Sequence, residues 1–261
     1  MNIEEQKARG QGEGAKSLHK TLSRICKFAF CSLTNSTLSQ RERVKSKNAF
    51  TLAEVLITLG IIGVVAAMTL PPLIQKHQER VTVNKVKKFY SVMSQAQLMA
   101  IKDHGYLDEW DVSGGLTKEG TEKLMDYLKP YLKIAKDCGT SSGCLQNGTI
   151  KLLNGNNWAN YDSNNGYYKL ILNDGTYMWL RTAVNTYCAT NDYGVNNSCG
   201  TLWIDINGKN PPNTIAKDIF LFALVKNGIV TFGNDDCNSS SYGWSCSKYI
   251  LEQGNMDYLK K

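Results

Sequence analysis

From Phe50 to Ile74 the chain runs for 25 residues with one ionisable side chain, Glu54. That exceeds the roughly 18 apolar residues at which a membrane-spanning helix becomes the default reading. A segment apolar on every side has to be buried in lipid or in other protein. An acid inside it costs about 2.5–3.5 kcal/mol by insertion scales, so such a group is expected to be paired or functional. Near the start of a helix it also meets unpaired amides and a favourable dipole, and a simple helix cap is the competing role.

Past Ile74 the pattern becomes one-sided. Ile74, Gln78, Val81, Lys85, Phe89, Val92, Ala96 and Met99 follow a helical period, with Lys76, Lys87, Lys88, Gln95 and Lys102 off the stripe. The reading is one helix from about Thr51 to Asp103, on the order of 80 Å long at 1.5 Å per residue. Its second half must pack on a globular domain. Pro71 and Pro72 are expected to bend it where the halves meet, and Gly105 to cap its end.

Thr117 to Lys136 reads as a second amphipathic helix, divided at Pro130. Beyond Thr149 the period changes to that of strands. Runs at 149–153, 167–172, 177–182, 202–206, 219–224 and 229–232 qualify. Asn173-Asp174-Gly175 and Lys226-Asn227-Gly228 are hairpin signals. Residues 154–165 and 233–261 read as loops. The fold class is α+β: a mainly antiparallel sheet of about four to six strands on the amphipathic half of a long helix.

Charge and cysteine divide the chain at the same place. Residues 1–49 hold six Lys and four Arg against four Glu, which accounts for nearly all of the net +7. The remainder has no basic run of the kind that tracks phosphates, and nucleic-acid binding is not expected. Six of the eight cysteines lie downstream of the apolar run, in Gly/Asn/Ser-rich loops, as three short-range couples. An even count in such loops points to an oxidising compartment rather than buried free thiols. Proximity favours Cys138 with Cys144, Cys188 with Cys199 and Cys237 with Cys246, among the fifteen pairings that six cysteines allow. Basic residues flank both ends of the apolar run, so local charge does not set its orientation.

Lys47-Asn48-Ala49 followed by Phe50-Thr51-Leu52-Ala53-Glu54 and an unbroken apolar helix resembles the cleavage and methylation segment of type IV pilins and type II secretion pseudopilins. The resemblance implies a leader over 1–49, cut after Ala49. It then implies a methylated α-amine on Phe50, a transmembrane and later filament-core helix over 50–74, an amphipathic continuation over 75–104 and an exported domain over 105–261. Ala49 stands where the family pattern has Gly and is the smallest substitute. Glu54 would pair with the Phe50 amine of a neighbouring subunit, since a subunit at the wrong axial level leaves a buried charge unpaired. The implied partners are other pilin-like subunits, a prepilin peptidase, the membrane and, indirectly, an assembly ATPase and platform proteins. The implied place is the cytoplasmic (inner) membrane, single-pass with the C-terminal domain outside, and then an extracellular or periplasmic filament. The competing function is an unprocessed membrane-anchored binding or adhesion module.

Little else in the chain suggests chemistry, and an enzyme is not expected. His19, His77 and His104 have no metal-ligand spacing, and no nucleophile or phosphate-loop motif occurs. Asp205 and Asn207 before Gly208, with Asp218 beyond, offer oxygen ligands that could suit a calcium ion like that of some pseudopilins, against an ordinary Asx turn. No other cofactor is expected. Trp158, Tyr161, Tyr193, Tyr242 and Trp244 in the loops would form a contact surface or pack those loops onto the sheet.

Overall fold

A computed structural model describes residues 50–145, 148–233 and 236–260; Ala49 and the expected leader lie outside them. Two compact units meet within the first helix. The first ends at Thr58 and is described from Phe50; the second comprises residues 59–261.

Helix α1, Leu52–His104, is continuous through Pro71 and Pro72, so the prolines do not end it as a helical element. Every large apolar side chain from Phe50 to Ile74 is exposed, whereas Val83, Val86, Phe89, Met93, Ala96, Gln97 and Ala100 are buried. The switch follows the sequence: all-round apolarity gives way to a stripe at i, i+3, i+4 spacing. Gly105, at φ +80°, closes the helix by donating its N–H to the Ile101 carbonyl at 2.9 Å.

The second helix, α2, is Lys118–Leu128, with Thr117 as N-cap accepting from the Gly120 N–H. It is shorter than the sequence suggests. Pro130 sits in a single 3-10 turn, Lys129–Tyr131, and the chain leaves it as strand β1, Ile134–Gly139. Residues 134–136 are therefore extended rather than helical, because proline cannot carry the ladder onward.

The remaining strands are β2 (Ile150–Lys151), β3 (Asn157–Ala159), β4 (Tyr168–Leu172), β5 (Tyr177–Thr182), β6 (Thr190–Asp192), β7 (Val195–Asp205), β8 (Ile219–Val225) and β9 (Gly228–Val230). Seven of them form one antiparallel sheet in the order β1-β4-β5-β7-β8-β9, with β6 also on β7, and β2 pairs with β3 in a separate ribbon. The sheet is thus larger than the four to six strands expected. The β4–β5 hairpin turns at Gly175, whose φ of +82° glycine adopts without strain. A third helix, α3 (Cys246–Gln253), occupies part of the stretch read as loop.

The two faces of the sheet bury different things. Leu180, Leu202 and Phe222 stand opposite one another across β5, β7 and β8. Phe89 and Tyr90 of α1 pack on Phe222, each with ring centroids 5.8 Å away. The alternate residues, Trp179 and Trp203, meet Tyr161 at 5.5 and 5.3 Å. Strand alternation sends these sets to opposite faces.

Candidate functional site

At the N-terminus of α1, Glu54 Oε2 accepts the Thr51 backbone N–H at 2.8 Å, and the Glu54 N–H donates to Thr51 Oγ1 at 3.2 Å. These reciprocal bonds are a capping box, satisfying two amides that the helix leaves unpaired. The acid that stands out in the sequence therefore has a local role here as the cap of its own helix. The Thr-x-x-Glu spacing of Thr51 and Glu54 is the sequence signature of this cap. Phe50, the expected first residue of a processed chain, is 85% exposed. Within the apolar run, the Thr58 and Thr69 hydroxyls donate to the Val55 and Val65 carbonyls, so these polar atoms are satisfied without leaving the helix. An 18-residue window of α1 reaches a mean hydropathy of 2.2 with none of it buried, enough to cross a membrane by length and composition.

The structure brings Asp205, Asn207 and Asp218 together at the end of β7. Asp205 Oδ1 accepts from the N–H groups of Asn207 and Gly208, at 3.1 and 2.9 Å. Asp218 Oδ1 accepts from Thr214 N–H at 2.7 Å, and its Oδ2 accepts from Asn213 N–H at 2.7 Å and Asn207 Nδ2 at 3.2 Å. Calcium needs six to eight oxygens; here the carboxylate oxygens already receive N–H donors, and Asn207 turns its donor nitrogen towards Asp218. Among the described residues no group of three or more His, Cys, Asp or Glu is placed to hold a metal. The arrangement fits a hydrogen-bonded corner better than an ion site. Burial, reinforced by the neighbouring Asp218, pushes the Asp205 carboxyl up to about 7, against the pull of the two N–H donors and Lys85.

With this geometry in place, residues 44–70 match the prokaryotic N-terminal methylation motif, and residues 72–261 match a family described as a family of unknown function (DUF6613). The chain belongs to that family. No curated protein and no solved structure matched. The methylation motif makes the first helix a prepilin segment of the type IV pilin and pseudopilin kind. The two matches meet at Pro71, so this DUF6613 member joins a prepilin segment to the family domain at its proline pair.

The family domain carries three disulfides, joining Cys138 to Cys144, Cys188 to Cys199 and Cys237 to Cys246. It also contains two charged groups that the sequence reading missed. Lys169 is fully buried, its ammonium donating to the carbonyls of Asn164, Thr140 and Ser141 at 2.8, 3.0 and 3.3 Å. Burial lowers its pKa, with Asp162 pulling the other way. Burial also works against the Asp162 carboxylate, but the N–H groups of Gly143, Leu145 and Cys144 hold it below its ordinary range. Lys169 and Asp162 together pin the disulfide loop at 138–145. Arg181, equally buried, forks onto both oxygens of Asp192 at 3.0 and 2.8 Å, and Thr201 Oγ1 donates to the same carboxylate at 2.7 Å.

Of the loop aromatics, Tyr161 is buried on Trp203, while Trp158 and Tyr242 are exposed. His77 lines a groove together with Asn207 and Asp218 of the Asp205 corner, and nothing in the described residues assembles a nucleophile with a base.

Proposed function

We propose that the chain is a structural subunit of a type IV pilus or a type II secretion pseudopilus. It is held first in the cytoplasmic membrane by residues 50–74, cut after Ala49 by a prepilin peptidase, and assembled through that helix with other pilin-like subunits. The observation that carries the proposal is the methylation motif over 44–70, lying on a helix whose large apolar side chains are all exposed. Such a surface is stable only against lipid or other helices, and one segment can use both in turn. The three disulfides support an oxidising, extracytoplasmic setting for the family domain.

Cleavage would change the surroundings of Glu54. It creates a cationic α-amine on Phe50, one residue from the Thr51 amide that the carboxylate now caps. The acid can then leave its cap for the amine of a neighbouring subunit, and a buried unpaired charge at any other level disfavours misregistration. Assembly ATPase and platform proteins would act on the assembly, not on this chain's domain. The role is structural rather than enzymatic.

Mass analysis of the protein recovered from its native host tests the reading. The expected mature chain begins at Phe50 and carries a methylated amine; an intact chain of 29.1 kDa overturns the proposal.

A further inference from the structure

We propose that the aromatic patch formed by exposed Trp158 and Tyr242 on half-buried Trp244 binds neutral polysaccharide. Trp158 reaches the surface through a bulge. In the β2–β3 ribbon Ile150 pairs with Ala159 and Lys151 with Asn157, which leaves Trp158 unopposed. A bulge of this kind re-aims a side chain, and Trp158 is 41% exposed. Tyr242, 51% exposed, projects from the loop that the Cys237–Cys246 disulfide closes. Both rings lean on Trp244, with centroids at 5.4 and 5.5 Å, and Trp244 rests on Tyr193 at 4.1 Å.

The patch is held in place before any ligand arrives. The Leu153 N–H donates to the Tyr242 carbonyl at 3.2 Å and the Asn154 N–H to the Ser241 carbonyl at 3.1 Å, tying the two loops together. Trp158 Nε1 donates to Tyr161 Oη at 2.5 Å, and Ser241 Oγ donates to the Asn238 carbonyl at 2.9 Å. Rigid aromatic surface offers contact area with little ordering cost on binding.

The chemistry of the surroundings selects the ligand. Residues 152–161 and 237–247 contain no Asp, Glu, Lys or Arg, in a chain that is 20% charged. Exposed Asn156 and Asn157 on one side, and Asn238 with Ser240 on the other, supply amides and hydroxyls that both donate and accept. Within these two segments a phosphate or an acidic headgroup finds no cation, and an acyl chain has no use for the amides. A sugar ring has what the patch matches: a face of C–H groups for the indole and phenol rings, and a rim of hydroxyls for the amides.

The test uses the full chain in detergent micelles and affinity electrophoresis through gels containing laminarin, mannan, xyloglucan or galactan. At least one polysaccharide is expected to retard the protein. Trp158→Ala and Tyr242→Ala should each weaken that retardation about tenfold, the scale of losing one ring contact. Tyr106→Ala, which removes an aromatic that is 46% exposed outside the patch, should leave it unchanged. Circular dichroism melts identify any variant that fails to fold, and Trp158→Phe then replaces Trp158→Ala, with partial retention expected. The proposal is overturned if none of the four retards the protein, or if retardation is indifferent to both patch substitutions. It is equally overturned if the patch substitutions abolish binding to a proline-rich peptide or to phosphatidylglycerol vesicles and not to the polysaccharide.

Discussion

Two stretches of one helix obey opposite rules. Between Phe50 and Ile74 the large side chains are apolar and exposed, and the threonine hydroxyls and the Glu54 carboxylate are satisfied by the helix itself. Between Val83 and Ala100 one apolar face, formed by Val83, Val86, Phe89, Met93, Ala96 and Ala100, is buried while Val92, Leu98 and Met99 stay exposed, and polar groups reach across to the domain. Gln97 Nε2 donates to the Val225 and Gly228 carbonyls at 3.0 and 2.9 Å, and Lys85 Nζ to the Ile206 carbonyl at 2.7 Å. The second stretch has its partners within the chain, whereas the first satisfies its polar side chains locally and is incomplete in apolar contact. A helix segment can therefore be locally satisfied and still depend on something outside its own chain for burial.

The comparison can be broken most directly at Phe89. Phe89→Ala should destabilise the domain by about 3–5 kcal/mol in urea unfolding, through the cavity left against Phe222. Ile61→Ala should leave the same midpoint unmoved, and an equal shift would mean that the two stretches are not distinct.

An effect of comparable size, spread over about three pH units, comes from the Asp205 corner. Its carboxyl is raised to about 7 in the folded domain against an ordinary 3.8, so the folded state holds the proton more tightly. Stability from this group is therefore lost as pH rises from about 4 to about 7, on the order of 1.4 kcal/mol for each unit crossed. Asp218, also raised by burial, tilts the profile the same way. Asp205→Asn keeps an acceptor for Asn207 and Gly208 and should flatten the pH profile of the melting temperature without abolishing its slope.

The smallest effect belongs to the cap. Thr51→Ala should cost about 1 kcal/mol of helix stability at its first turn, seen as faster amide exchange at residues 52–55, with no change in domain melting. A change in domain melting would show that the N-terminal turn is coupled to the fold.

The extent of the long helix was legible almost to the residue, but its buried face was not: Ile74, Val81, Val92 and Met99 of the expected stripe are exposed, and burial centres on the neighbouring Val83, Val86, Met93 and Ala100. The hairpins at Gly175 and Gly228 were legible from their turn residues. The reading failed where one residue overruled a pattern: Pro130 converted the end of a periodic helix into strand β1. It also failed where cysteine and serine concealed α3 within a stretch that scored as loop. Lys169 and Arg181 lie on strands, where a charged residue between apolar neighbours is normally read as facing solvent. Their partners are backbone carbonyls and, for Arg181, the Asp192 carboxylate on β6, which the alternation of a strand does not reveal. At Asp205 and Asp218 the residues read as either a calcium site or an ordinary Asx turn, and backbone N–H groups donate to carboxylate oxygens of both. For the N-terminal segment, the helix cap that competes for Glu54 in the sequence is the arrangement present in the structure.

The proline pair also acts as a depth gauge. Pro71 and Pro72 have no N–H, so the Ala67 and Met68 carbonyls lack the donors that a regular helix would give them. Hydrocarbon cannot replace those donors, but water, or a hydroxyl on an adjacent helix, can. The stretch with a full ladder, residues 52–66, measures about 22 Å at 1.5 Å per residue, short of the ~30 Å of a typical hydrocarbon core. Pro71 and Pro72 thus fall at the far end of the span, where interfacial water can supply the donors that the two carbonyls lack.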